Sequence, residues 1–240
     1  MALYDAIDLG DQQAEVIRKD IKHVHLGVYP PDGQIRISAP TGMALDTIRI
    51  YAITKLDWIR QQQRKMLAQE RETIREYVDR ESHYVWGKRY LLKILHEESA
   101  PRVVRRYSVL ELHVRPDSGR EKRQEVLEAW YRGQLRAEIP KLLEKWQPIV
   151  GARPRNVLIQ RMKTKWGSCN HHSGNIRLNT DLARKPPACL EYILMHEMVH
   201  LIEPNHGVRF QSLMDQFMPH WRQIRQELNE LPIRHENWGY

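Results

Sequence analysis

The sequence predicts an α+β chain, with a small antiparallel-sheet-plus-helix domain over residues 1–118 and a second, helix-rich domain over 119–240. Three observations carry this. Residues 24–37 and 84–115 hold short runs of alternating apolar residues, the period of half-buried strands. From Glu121 the apolar residues fall mostly at helical spacing. Between these regions, Pro116-Asp117-Ser118-Gly119 reads as a turn or linker, and the boundary is placed there.

Val24, Leu26 and Val28 alternate, Pro30-Pro31-Asp32-Gly33 follows, and Ile35 and Ile37 alternate again, which predicts a β-hairpin. His23 and His25 lie on its first arm without a nearby third ligand and read as surface histidines. After Pro40-Thr41-Gly42 the period changes. Leu45, Ile48, Ala52, Leu56 and Ile59 predict a helix, and the charged run to Arg80 continues it as a solvated face. Tyr90–Ile94, Val103-Val104 and Val109–Val114 complete the small sheet.

Glu121 to Trp146 is helical, with Val126, Trp130, Leu135, Leu142 and Leu143 spaced for burial and a kink expected at Pro140. Val157 to Trp166 alternates as a strand, Trp166 to Asn170 makes the following turn, and Ile176 to Asn179 forms a shorter strand. Pro186-Pro187 precedes a helix from Ala188 to about Ile202, which Pro204-Asn205 ends. Two further helices follow, one with Phe210, Leu213, Met214 and Phe217 on a face, the other with Trp221, Ile224 and Leu228.

Composition bounds the function. Hydrophobic residues at 41% and charged residues at 28% suit a globular chain with a core and exclude disorder as the main theme. The mean hydropathy is −0.65, and no stretch approaches the roughly 20 apolar residues of a membrane helix. The start MALYDAIDLG lacks the basic and apolar parts of a secretory signal. Cys169 and Cys189 alone make neither a disulfide framework nor a Cys₄ zinc site. The expectation is a cytoplasmic protein with free thiols and no membrane partner.

Net charge is +8, and from Lys145 to Thr180 there are seven Lys or Arg and no acidic residue. Such a segment could face a nucleic acid, a phosphate or a peptide carboxylate, or be a plain solvated surface.

The residues that carry chemistry are His196-Glu197-Met198-Val199-His200. On a helix, i and i+4 lie about 40° apart in azimuth and about 6 Å apart along the axis. Both imidazoles then reach one ion, with Glu197 beside them to take a proton from water. A catalytic zinc needs a third protein ligand and an open position. Glu203 shares the stripe, but three residues spread over seven helical positions cannot converge on one small ion. His220 follows Pro219 in another segment. His206 is best placed, because Pro204-Asn205 ends the helix and Asn205 can cap the next one.

The motifs Arg161-Met162-Lys163-Thr164-Lys165-Trp166-Gly167-Ser168-Cys169, Ile176–Asn179, His196–His200 and Pro204–Phe210 together resemble the YgjP-like family of metal-dependent hydrolases, related to SprT-like and minimal zincin metallopeptidases. The resemblance implies a minimal zincin-like catalytic domain, with an antiparallel edge strand above an active-site helix. It implies one Zn2+, or another divalent ion, on His196, His200 and His206, with Glu197 as general base.

On the strand predicted for Val157 to Trp166, Arg161, Lys163 and Lys165 share a face, which the resemblance places at the lip of the metal cleft. They are candidate substrate-binding residues, though cations also protect exposed edges from aggregation. Asn175, Arg177 and Asn179 share a face of the next strand, and Asn175 and Asn179 join the substrate-binding candidates, with structural hydrogen bonding as the competing role. Cys169 reads as a small buried hydrophobe, and His171 and His172 as loop residues.

Three functions follow as expectations. The first is a zinc metallopeptidase. The second is a metal-dependent nucleotide phosphohydrolase of pyrophosphatase type, its basic segment holding phosphates. The third is a nucleic-acid-associated binding protein with structural zinc, which would ordinarily need a fourth protein ligand.

Overall fold

The computed structural model describes residues 4–29, 33–68 and 72–232. The chain divides into two compact units, one running to Glu72 and the other beginning at Thr73. Residue 118, where the sequence places the boundary, therefore lies inside the second unit.

The first unit holds strands β1 (Tyr4–Asp8), β2 (Gln13–Lys19), β3 (His25–Tyr29) and β4 (Gln34–Pro40) in the order β1-β2-β4-β3. The predicted hairpin is β3 and β4, whose antiparallel register pairs Leu26 with Ile37 and Val28 with Ile35. Of its turn, residues 30–32 lie outside the described residues. The sheet is mixed, because two hairpins lie side by side with β2 parallel to β4. Ala14, Val16, Ile35 and Ile37 point to one core with Ile48, Ala52 and Ile59 from the helices α1 (Leu45–Ile53) and α2 (Leu56–Ala68). The helix expected to reach Arg80 is thus two helices, broken after Ile53, and residues 72–78 are not helical.

The second unit opens with β5 (Ser82–Val85), β6 (Lys88–His96), β7 (Arg102–Arg106) and β8 (Val109–Val114), in the order β5-β6-β8-β7 with β6 parallel to β8. These strands do not complete the first sheet. Leu92, Leu110, Leu112 and Val114 instead share a core with Leu127, Tyr131, Leu135 and Ile139 of helix α3 (Arg120–Val150). That shared core is why the turn at 116–119 does not divide the chain. The helix runs through Pro140 as one element and ends at Gly151, whose φ of 70° supplies the left-handed residue that commonly terminates helices.

A third sheet, ordered β10-β11-β9, comprises β9 (Asn156–Gln160), β10 (Gly167–Asn170) and β11 (Asn175–Asn179). A short 3-10 helix, Thr180–Arg184, leads from β11 to helix α4 (Pro187–Val199). Nine of the thirteen residues of α4 are buried, including Leu190, Leu194, Met195 and Met198, which makes it the central helix of the unit. Helices α5 (Val208–Phe217) and α6 (Trp221–Glu230) pack on it through Phe210, Met214, Trp221 and Leu228. Among the described residues no helix is long and apolar enough to cross a membrane. His23 and His25 are exposed.

Candidate metal centre

Helix α4 brings His196 and His200 to one face over its last turn. His200 closes the helix, its N–H donating to the His196 carbonyl at 3.3 Å. The chain then turns back, with the Glu203 N–H donating to the Val199 carbonyl at 2.9 Å. Glu203 builds this turn. Its carbonyl stands 3.1 Å from His200 Nδ1, and its Oε1 accepts from the Asn205 N–H at 3.2 Å. The residue at the N-cap of α5 is Gly207, not Asn205, so Asn205 serves the turn rather than the helix.

The turn delivers His206 to the other two rings. His206 Nε2 lies 3.0 Å from His200 Nε2 and 3.0 Å from His196 Nε2. The three histidines form a group able to hold a metal ion, their ligand atoms all within 4.8 Å of one another. A tetrahedral zinc with arms of about 2.0–2.1 Å separates neighbouring nitrogens by about 3.3 Å, so the donor set fits. The Glu203 carbonyl next to His200 Nδ1 favours the tautomer that leaves the Nε2 lone pair for an ion. His196 Nδ1 is buried without a hydrogen-bond partner, and its ring is set by edge contacts with Tyr192 and Phe210. Phe210 floors the whole cluster, its ring centroid 4.9, 4.6 and 4.8 Å from those of His196, His200 and His206.

Burial favours the neutral forms of His196 and His200. Burial, followed by the neighbouring His200 and His206, pushes the His196 pKa down to about 3. Burial also lowers that of His200, opposed by its contact with the Glu203 carbonyl.

Glu197 lies on α4 between the two histidines and is 5% exposed. Burial raises its pKa to about 8, and Lys165 partly opposes the rise. Its carboxyl makes no hydrogen bond among the described residues and lines a cleft of about 280 Å³ with the three histidines, Lys165 and His171. One wall is β10. A Cβ built on Gly167 would stand 2.7 Å from Glu197 Oε1 and 2.8 Å from Ile193 Cγ2, so only a glycine lets this strand lie so close to α4. Sequence reasoning reads Gly167–Asn170 as a turn. It is the edge strand, antiparallel to β11 and pairing Gly167 with Leu178 and Cys169 with Ile176. Cys169 also lines the cleft, and burial, then the Glu197 charge, raises its thiol pKa to about 11.

The predicted basic stripe does not form. The strand ends at Gln160, and residues 161–166 are irregular. Of the three cations only Lys165 lines the cleft; Arg161 Nη1 lies 4.0 Å from Glu128 Oε1, and Lys163 is exposed elsewhere. Asn175 and Asn179 share a strand face as expected, but neither lines the cleft. Asn175 accepts from Asn156 Nδ2 at 2.9 Å and donates to Ser173 Oγ at 3.1 Å. Asn179 is buried and bonded to backbone. The structure thus gathers His196, Glu197, His200, His206 and Lys165, and leaves Arg161, Lys163, Asn175 and Asn179 outside. Sequence reasoning missed Gly167 as a wall and Phe210 as a floor. The tight fit at Gly167 has no signal in one sequence, whereas the position of Phe210, four residues after His206, places it on the helix that follows the third imidazole.

Three imidazoles converging beside an unbonded carboxyl define the chain as a metal-dependent hydrolase. More particularly, the chain belongs to the YgjP-like family, whose metallopeptidase domain matches residues 23–231. Over 38% of its length it is similar to the metallopeptidase zymogen abylysin of Pyrococcus abyssi, with 23% identity, 90% of that chain covered and a TM-score of 0.35. It is likewise similar to the metallopeptidase zymogen jannalysin of Methanocaldococcus jannaschii, with 22% identity, 38% of this chain and 92% of that one covered, and a TM-score of 0.34. A comparison with curated proteins finds no match.

Proposed function

We propose that the chain is a zinc-dependent peptidase in which His196, His200 and His206 hold one ion and Glu197 is the general base. The observation that carries this reading is the convergence of three Nε2 atoms in the cleft that Glu197 lines. A zinc ion there would polarise the scissile carbonyl and lower the pKa of water toward about 7. Glu197 takes a proton from the attacking water and passes it to the departing amine. Its lack of a hydrogen-bond partner among the described residues leaves both oxygens to water and substrate, and a cation held by the histidines would favour its charged, proton-accepting form.

The nucleotide phosphohydrolase reading draws on the basic segment, and the dispersal of Arg161 and Lys163 away from the cleft weakens it. A structural zinc would want a fourth protein ligand, where the histidine group has three.

Two measurements test the proposal together. Elemental analysis of protein purified without added metal is expected to find about one zinc per chain, as the three-histidine group requires. Glu197→Gln is expected to keep that metal and lose about 10²–10⁴-fold in peptide hydrolysis. Wild-type protein without any transition metal, or a Gln variant within a few-fold of wild type, would sink it.

A further inference from the structure

The segment from residue 161 to 166 has no strand ladder, yet its backbone is firmly held. Asn179 Nδ2 donates to the carbonyls of Met162 at 2.8 Å and Lys165 at 2.9 Å. The Asn179 N–H donates to the Trp166 carbonyl at 2.9 Å, and its Oδ1 accepts from the Asp181 N–H at 3.1 Å. One residue, 5% exposed, therefore places both amide protons of its side chain and its own N–H on this segment. The side chain that emerges next to these ties is Lys165. It lines the cleft, is exposed, and its ammonium makes no hydrogen bond or ion pair among the described residues. The backbone of Lys165 is fixed while its charge is left for something else.

We propose that Asn179 is a positioning residue that holds Lys165 at the cleft, and that the Lys165 ammonium receives a carboxylate of a peptide substrate. The proposal rests on the peptidase reading of the site. Carboxylates are the anionic groups of an unmodified peptide at neutral pH, and the one acid lining the cleft, Glu197, makes no ion pair with Lys165 among the described residues. The carboxylate can belong to an acidic side chain near the scissile bond or to the peptide's own C-terminus. Asn179 acts only through the loop it ties, because it lines no part of the cleft.

The test uses quenched-fluorescent peptides of one sequence with Glu or Gln beside the cleaved bond, each with a free or an amidated C-terminus. A hydrogen-bonded charge pair predicts that the carboxylate peptide has a KM about tenfold below that of its neutral match. Preference that follows Glu over Gln assigns the side chain; preference that follows the free C-terminus assigns the terminal group. Lys165→Met is expected to bring the ratio to about one, and Lys165→Arg to restore it. Asn179→Asp keeps the acceptor, loses both donors, and is expected to collapse the same ratio. A role for Asn179 in stability alone would lower Tm and leave the ratio in place. Should Asn179→Asp fail to fold, the surface substitution Lys165→Met still decides. Binding of the same peptides to metal-loaded Glu197→Gln protein, read by fluorescence anisotropy, repeats the comparison without hydrolysis. Absent cleavage by wild type would then count against the proposed function alone. Equal affinities for all four peptides, or a ratio untouched by Lys165→Met, would overturn the present inference and leave Lys165 as a charge that merely offsets Glu197.

Discussion

Gly167 lies against Glu197 so closely that a Cβ on the glycine would stand 2.7 Å from the carboxyl Oε1 and 2.9 Å from Cγ. The edge strand and the central helix therefore meet at the carboxyl assigned as general base, and the absence of a side chain on one sets the rotamer room of the other. Gly167→Ala must displace Glu197, Ile193 or the strand itself. Misplacing a catalytic group by about 1 Å can cost about 10²-fold. The expected outcome is a loss of that order in hydrolysis with metal content retained, since the atoms nearest a Cβ at Gly167 belong to Glu197 and Ile193 and not to a histidine. Wild-type turnover by the alanine variant would show that Glu197 has room to spare.

Phe210 joins the histidine cluster to the core. It is 2% exposed and touches the rings of His196, His200 and His206 at once. Phe210→Ala is expected to cost about 3–5 kcal/mol, the range for emptying a buried aromatic site. It should also loosen the metal, because three imidazoles lose their common floor. Chemical denaturation read beside zinc affinity checks both halves, and Phe210→Leu should lie between.

In the proposed site, His206 supplies the ligand that the helix cannot. Removing it leaves two nitrogens and a turn held by Glu203, so His206→Ala is expected to purify with substoichiometric metal while retaining its fold. Metal that binds the native state alone stabilises it by mass action, about 2.7 kcal/mol at one hundred times Kd. Chelation should therefore lower the Tm of wild type and move that of His206→Ala much less. Equal shifts in the two proteins would place the ion elsewhere.

The three-histidine cluster was legible in the sequence because it depends on local geometry. The i, i+4 spacing of His196 and His200 is a property of any helix, and Pro204-Asn205 announces the turn that returns His206. The cleft walls were not. Gly167-Ser168-Cys169-Asn170 has no apolar alternation, and it is a strand only because β11 pairs with it and α4 accepts its bare glycine. The opposite error occurred at residues 161–166, where alternation suggested a strand. There the side chain of Asn179 takes the carbonyls of Met162 and Lys165, so those acceptors serve a loop. The division of the chain was hidden for a similar reason: Leu110 and Leu112 look the same in sequence whether they pack on α2 or on α3.

The last prediction concerns a histidine away from the cleft. His83, on β5, is 0% exposed, its Nε2 is 3.3 Å from Glu81 Oε2, and its Nδ1 is buried without a partner. Burial holds its pKa below the ordinary 6.5; the nearby Arg75 and Arg184 push the same way, and the contact with Glu81 opposes them. The folded protein thus keeps His83 neutral where the unfolded chain would bind a proton. Its contribution is in place above pH 6.5 and is lost as pH falls below that value toward the lower folded pKa. The slope per proton cannot exceed about 1.4 kcal/mol per pH unit. The carboxylate of Glu81 adds a separate loss only at lower pH, because its own pKa lies below 4.5. Other histidines titrate too, so the informative quantity is a difference between proteins. Urea midpoints for wild type and His83→Gln, taken from pH 7.5 to 5, should converge as the pH falls, since glutamine has no proton to gain. A constant gap between the two proteins across that range would mean that His83 carries its proton in the folded state as readily as in the unfolded one.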